Sequence, residues 1–194
     1  MSEALQPIPF WFLRHGETDW NARDLSQGQV EVPLNAAGLA QARSAAALLR
    51  GRGIASIVCS PLGRARETAR IVSEVLGLPV EIEDDLREVA FGEQEGLPMG
   101  NWYDDWIAGT MTPKGAEPFA VLRERVVGAV NRALQRPAPV LVVAHGAMFR
   151  ALRSAMGLVP NVRTPNGIPL WCEPGTPWRL EPAESSSLTS GRTG

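Results

Sequence analysis

With 194 residues, 44% of them hydrophobic and 21% charged, the chain is long enough to bury a sizeable core without staples. The net charge is -2 and Lys114 is the only lysine, which speaks against a nucleic-acid partner. The two cysteines, Cys59 and Cys172, cannot form a disulfide framework, and no run approaches the ~20 apolar residues of a membrane span. The amino terminus lacks the basic and apolar segments of a signal peptide, so a cytoplasmic location with reduced thiols is expected.

Residues 8–13 read as a first strand, because Phe10-Trp11-Phe12-Leu13 is an apolar run opened by Pro9. It stops abruptly at Arg14-His15-Gly16. Residues 16–34 lack periodicity and predict a long, functional loop. Asn35 is placed to cap a helix over residues 36–50, with Leu39, Ala42, Ala46 and Leu49 on one face and Gly51 ending it. Ala55 to Cys59 predicts a second strand. Ser60 as cap and Pro61 as first residue predict a helix running to Leu76 and stopping at Gly77. Pro79 to Ile82 is a third strand.

Residues 84–118 are rich in glycine and acids, with a short helix near 100–108. Its Trp102, Tyr103 and Trp106 are expected to pack against the sheet rather than touch a substrate. Residues 117–135 predict an amphipathic helix, with Leu122, Val126, Val130 and Leu134 recurring every four. Val140 to Ala144 is apolar without alternation, as in a strand buried on both faces. It ends at His145-Gly146, and a helix follows to Met156. Between Ile168 and Leu180, interrupted by prolines, two short antiparallel edge strands are expected. The chain from 183 to 194, rich in Ser, Thr and Gly, reads as a disordered tail, leaving a single domain over 1–182. The alternation of strands and helices is that of an α/β sandwich with a largely parallel sheet.

His15 and His145 are the only histidines, and each ends an apolar strand just before a glycine. Parallel neighbouring strands bring both imidazoles to one sheet edge, where open α/β sheets bind ligands. Arg64 falls in the first turns of the helix after the second strand, and with Arg14 it offers a fork-shaped site for a phosphoryl group. Arg66 and Arg70 lie at other angles and read as solvated. Asp84, Asp85, Glu88, Glu93 and Glu95 offer a general acid, and composition does not choose among them. A zinc site from both histidines and both cysteines is disfavoured, since the local ligand pairs of common zinc motifs are missing.

The segments RHGETDWN, SPLGRARETA, LREVAFGEQEG and VVAHGAMFRAL stand in the order and spacing of the histidine phosphatase superfamily. The chain resembles its small cofactor-independent phosphatases over residues 8–172. The resemblance implies a three-layer α/β/α sandwich of the phosphoglycerate mutase-like kind. It implies His15 as the nucleophile that becomes phosphorylated, with Arg14, Arg64 and His145 completing the phosphate pocket. Asn21 matches a further phosphate ligand; Gln27, Gly28 and Gly146 match positions that approach the substrate. Glu88 matches the proton donor. Since Glu88 must carry a proton when the ester oxygen leaves, an acidic to neutral optimum is expected.

His145 is expected to act as a cation, and no metal or cofactor is implied. Two departures concern the wall around the donor. Gly92-Glu93-Gln94-Glu95-Gly96 stands where many relatives have Gly-x-Trp-Glu-Gly, and Lys114-Gly115-Ala116-Glu117-Pro118 where they often have Gly-Gly-Glu-Ser. The expected partner is a small phosphorylated substrate, with neither nucleic acid nor membrane, and the chain is a monomer or homodimer. Phosphatase activity is favoured over mutase activity, because the stretch 96–117 is short and carries one cation. A non-catalytic phospho-ligand binding module is the third reading, disfavoured because every pocket residue is present.

Overall fold

The computed structural model describes residues 3–184. A six-stranded sheet is flanked by helices on both faces. In chain order the strands are β1 (Phe10–Arg14), β2 (Ser56–Cys59), β3 (Val80–Ile82), β4 (Val140–Ala144), β5 (Pro169–Glu173) and β6 (Arg179–Pro182). The helices are α1 (Asp19–Ala22), α2 (Ala36–Leu49), α3 (Gly63–Leu76), α4 (Trp102–Ala108), α5 (Phe119–Ala133) and α6 (Gly146–Ala155). The spatial order is β3-β2-β4-β1-β5-β6. The first four of these run parallel; β5 and β6 are antiparallel additions. The α/β expectation therefore holds. Only β6 is an edge on that side, because β5 is inserted between β1 and β6. Pro169 fits there because it is the first residue of β5.

The alternation along β1 and β4 explains why both strands are wholly apolar. Phe10, Phe12, Val140 and Val142 face a core shared with α4, α5 and α6. Trp11, Leu13, Leu141 and Val143 face a second core shared with α2 and α3. A strand covered on both faces needs large apolar side chains at every position. Phe12 stacks on Phe149 of α6 at 3.9 Å between ring centroids, which fixes α6 over the end of β1. Cys59 and Cys172 lie in different cores, so the four-residue zinc set is not brought together. Burial pushes the Cys59 thiol up to about 12.

Local chemistry sets the helix ends. Asn35 caps α2 by accepting from the Gly38 amide at 2.8 Å. The buried face of α2 is Gly38, Ala42, Ala45, Ala46 and Leu49, with Leu39 only half-buried. Its first buried residue, Gly38, is small because the loop after β1 lies directly on it. α3 ends at Gly77 in the left-handed conformation, φ 68°, as expected. It starts at Gly63 rather than Pro61, because Ser60 turns inward and Leu62 takes the cap position without a side-chain bond. Trp106 is fully buried in the core of α4 and α5, and its Nε1 donates to the Glu117 carbonyl at 2.9 Å. Packing is thus its role, as expected, whereas Tyr103 also reaches a cavity wall.

The glycine of the Arg-His-Gly segment has a packing reason. A Cβ on Gly16 would stand 2.3 Å from the Gly38 carbonyl oxygen, which is backbone of α2. Neither backbone can yield cheaply, so Gly16→Ala is expected to destabilise the fold by about 3 kcal/mol or more. Thermal unfolding measures this directly; an unchanged melting temperature contradicts the close approach.

Among the described residues no helix is long and apolar enough to cross a membrane. Ala183 still donates its N–H to the Pro169 carbonyl, while the remainder of the expected tail, from 185 onward, lies outside the described residues.

Candidate active site

The register of β1 and β4 builds the site. Arg14 stands opposite Ala144, and the His15 amide donates to the Ala144 carbonyl at 3.0 Å. His15 and His145 therefore follow neighbouring strand ends, with ring centroids 5.2 Å apart. Next to them lies a cavity of about 360 Å³ at the carboxyl edge of the sheet. Arg14, His15, Asn21, Gln27, Gly28, Arg64, Glu88 and Gly146 all line it. His145, fully buried, sits behind the wall rather than on it.

The His15 ring is held by one nitrogen. Its Nδ1–H donates to the Gly16 carbonyl at 2.7 Å, which leaves the Nε2 lone pair for the cavity side. Arg64 Nε donates to that Nε2 at 3.3 Å. Burial first, then the Arg64 and Arg14 charges, hold the His15 pKa well below its usual range. Burial and Arg64 do the same for His145, so both imidazoles are neutral at neutral pH. The expected cationic His145 is thus corrected: a third cation is disfavoured in a buried site already holding two guanidiniums.

The tautomer of His145 follows from its neighbour. Its Nε2 lies 2.7 Å from Ser60 Oγ. The buried Ser60 hydroxyl has no other acceptor for its own proton among the described residues, so that proton goes to His145 Nε2, while Oγ accepts from the Leu62 amide. The ring hydrogen then sits on Nδ1, which is buried and unpartnered among the described residues.

Two neutral buried histidines make stability pH-dependent. In the unfolded chain each titrates near ~6.5, so below that pH the unfolded state binds protons that the folded state does not. Stability is expected to fall as the pH drops from 6 to 5, and to be nearly flat for these groups above pH 7. Denaturant titrations at each pH check this, and His145→Asn should roughly halve the fall.

The arginines are fixed by backbone carbonyls. Arg64, 1% exposed, donates from Nη2 to the Gly28 carbonyl at 2.7 Å and from Nη1 to Val30 at 2.9 Å. It therefore pins the loop that carries Gln27 and Gly28. Gly28 has φ 52°, and a Cβ there would meet Glu95 Oε1 at 2.0 Å. That Glu95 oxygen accepts from the Gln29 and Phe91 amides, so Glu95, which the pattern of the relatives shares, ties the loop carrying Gln27 and Gly28 to the segment after Glu88. Arg14 Nη1 donates to the Thr164 carbonyl at 2.7 Å, and its Nε is buried without a partner. Burial, opposed by Glu88, brings the Arg14 guanidinium down to about 10, still charged at neutral pH. A Cβ on Gly146 would come within 3.1 Å of Arg14 Nε, so the small residue there makes room for the guanidinium.

Among the five candidate acids, Glu88 alone lines the cavity. Its Oε1 accepts from the Val89 and Met148 amides at 3.0 and 2.8 Å; its Oε2 accepts only from Ala147 at 2.9 Å. Two of these donors belong to the first turn of α6, where free N–H groups favour an anion. Oε1 has both lone pairs occupied, whereas Oε2 keeps one for a proton. Glu117, shared with the second family pattern, braces the segment of Glu88 from outside. Glu117 pairs with Arg125 at 2.6 Å, and Arg125 Nη1 holds the Asp85 and Arg87 carbonyls at 2.7 and 3.0 Å.

Asn21 explains the end of RHGETDWN. Its Oδ1 accepts from the Thr18 amide and from Asn166 Nδ2, which leaves its Nδ2 as the free donor on the wall. Sequence reading missed Ser60, Tyr103, Arg150, Arg163, Thr164 and Asn166. Asn166 Nδ2 also donates to the His15 carbonyl at 2.9 Å. Of these, Ser60 and Arg150 lay inside quoted segments, with Ser60 read as a helix cap, and Tyr103 was read as packing.

The sequence profile described as the histidine phosphatase superfamily (branch 1) matches residues 10–166. The chain is 40% identical over 146 residues to a protein named uncharacterized phosphatase PhoE of Bacillus subtilis (strain 168), covering 72% of each. It is 37% identical over 167 residues to a probable phosphoglycerate mutase GpmB of Yersinia enterocolitica, covering 79% of this chain and 77% of that one. Mycobacterial glucosyl-3-phosphoglycerate phosphatase Rv2419c, solved with VO3, superposes with a TM-score of 0.79 at 29% identity, over 89% of this chain and 97% of the other. Strand-end histidines in register, a guanidinium-lined cavity and these likenesses agree: the chain belongs to the histidine phosphatase superfamily.

Proposed function

We propose that the protein hydrolyses a small phosphate monoester, without a metal, through a phosphohistidine on His15. The observation that carries this reading is the His15 ring: Nδ1 tied to a backbone carbonyl, and Nε2 on the cavity side engaged only by a long 3.3 Å bond from Arg64 Nε. A neutral imidazole is a nucleophile and an imidazolium is not. His15 Nε2 attacks phosphorus; the N–P bond forms as the P–O ester bond breaks. Arg14, Arg64 and the Asn21 amide meet the equatorial oxygens. Glu88 Oε2 gives its proton to the departing oxygen. Water then attacks phospho-His15, Glu88 takes back a proton, and phosphate leaves as Nε2 recovers its lone pair.

Ser60 acts in this scheme as a positioning residue. Nitrogen-15 NMR has only two histidine rings to resolve. Both are expected as the Nδ1–H tautomer in the free protein. Ser60→Ala should move the His145 hydrogen to Nε2 and lower kcat about tenfold, and Ser60→Thr should restore both. An Nε2–H tautomer of His145 in the unaltered protein contradicts the assignment.

Mutase chemistry uses the same groups but needs a clamp that keeps water from the phosphohistidine. The segment from 96 to 117 carries one cation, Lys114, and that residue is exposed. Hydrolysis is therefore the favoured outcome. The discriminating experiment offers p-nitrophenyl phosphate, sugar phosphates and 3-phosphoglycerate. Release of free phosphate, lost in His15→Ala, is expected; interconversion of 2- and 3-phosphoglycerate without release overturns it.

A further inference from the structure

One peptide bond, that between His15 and Gly16, gathers ties from three other parts of the chain. The sheet register brings them there. β5 runs antiparallel to β1 with Leu13 opposite Pro169, so the turn just before β5 lies beside the end of β1. Gly167 of that turn, at φ 68°, donates its amide to the Arg14 carbonyl at 3.0 Å. One residue earlier, the half-buried Asn166 donates from Nδ2 to the His15 carbonyl at 2.9 Å. On the other side of the same peptide, the Gly16 amide donates to Thr68 Oγ1 at 3.0 Å, and the Thr68 hydroxyl passes its own proton to the Arg64 carbonyl at 2.8 Å.

Asn166 Nδ2 has a second hydrogen, and it goes to Asn21 Oδ1 at 3.3 Å. His15 does not depend on Asn166 for its place, because its own amide is held by Ala144 and the next amide by Thr68. Asn21 does. Its other restraints come from Thr18 in the same turn, whose amide and hydroxyl each lie 3.2 Å from Oδ1. Those bonds let Thr18 and Asn21 shift together. Among the described residues, Asn166 is the one hydrogen-bonded tie from the Asn21 side chain to another element. A terminal amide turns about its last torsion at little cost, and an oxygen turned toward a phosphoryl group repels it. Asn166 is not on the cavity wall, whereas Asn21 is.

Resting on the phosphomonoesterase reading, we propose that Asn166 is a positioning residue. It suspends the Asn21 amide from the backbone of His15, so that the Asn21 Nδ2 donor and the His15 Nε2 lone pair address the same phosphoryl group. The task suits asparagine, because it needs two hydrogens on one planar nitrogen at the end of a short side chain.

Asn166→Leu keeps the approximate shape and removes both hydrogens; Asn166→Ala removes the side chain. Each is expected to lower kcat/KM for p-nitrophenyl phosphate about tenfold, and to weaken calorimetric binding of inorganic phosphate by a similar factor. In an Asn21→Ala background, the same Asn166 changes should cost less than about twofold. A merely structural role costs the same in both backgrounds. Without any variant, hydrogen exchange followed by NMR should find both Asn166 side-chain amide hydrogens protected, and those of Asn21 protected only once inorganic phosphate is added. Equal losses in the two backgrounds, activity and phosphate affinity untouched by both variants, or fast-exchanging Asn166 hydrogens overturn the positioning role. No phosphate release from any ester, with the Asn21–Asn166 coupling intact in phosphate binding, overturns the hydrolase reading and leaves the positioning role standing.

Discussion

With His15 replaced by asparagine, phosphate release from every monoester is expected to fall by about 10⁴-fold or more. No neighbouring side chain can substitute. His145 is fully buried behind the wall, with Nε2 engaged by Ser60 and the ring hydrogen on Nδ1. Cys59 is a buried, protonated thiol in the core of α2 and α3. Asparagine can keep a donor toward the Gly16 carbonyl, so the fold is expected to survive. Far-UV circular dichroism and thermal unfolding separate lost chemistry from lost structure. A residual rate within tenfold of the unaltered protein means that another group attacks phosphorus.

Arg64→Ala is expected to lower kcat/KM by about 10³-fold, at the upper end for loss of one preorganised donor. The excess comes from the loop, because Arg64 also holds the Gly28 and Val30 carbonyls and so sets where Gln27 meets a ligand. Both carbonyls lose their partner, and stability should fall by about 1–3 kcal/mol. Arg64→Lys is expected to recover little activity. An ammonium supplies charge, but it cannot reach His15 Nε2 and two separate carbonyls from one planar fork. A lysine variant close to full activity contradicts the geometric account and leaves only charge.

How far the sequence announced this site depends on the range of each interaction. β1 and β4 were legible because burial on both faces demands unbroken apolar runs, and their ends carry the only histidines. Asn35 and Gly77 were legible because capping is local. The choice of Glu88 was not, since it depends on the α6 amides 59 and 60 residues later. The Arg14 to Thr164 bond spans 150 residues across a segment without periodicity, so nothing near either residue signals it. Ser60 was misread for a different reason. A serine before a proline satisfies the local rule for a cap, but its hydroxyl turns inward, where it accepts from the Leu62 amide and lies 2.7 Å from a fully buried imidazole. The charge of His145 failed likewise, because desolvation by two packed cores and proximity to Arg64 appear only after folding.

The central claim is a covalent phosphoryl group on His15 Nε2. The most direct measurement mixes the protein with a ³²P-labelled monoester, quenches within milliseconds into alkali, and maps the label by mass spectrometry. A phosphoramidate is stable to alkali and labile to acid. The account predicts label on the peptide bearing His15, none on the peptide bearing His145, and none in His15→Asn. Turnover with no alkali-stable, acid-labile label, or label on any other residue, contradicts it.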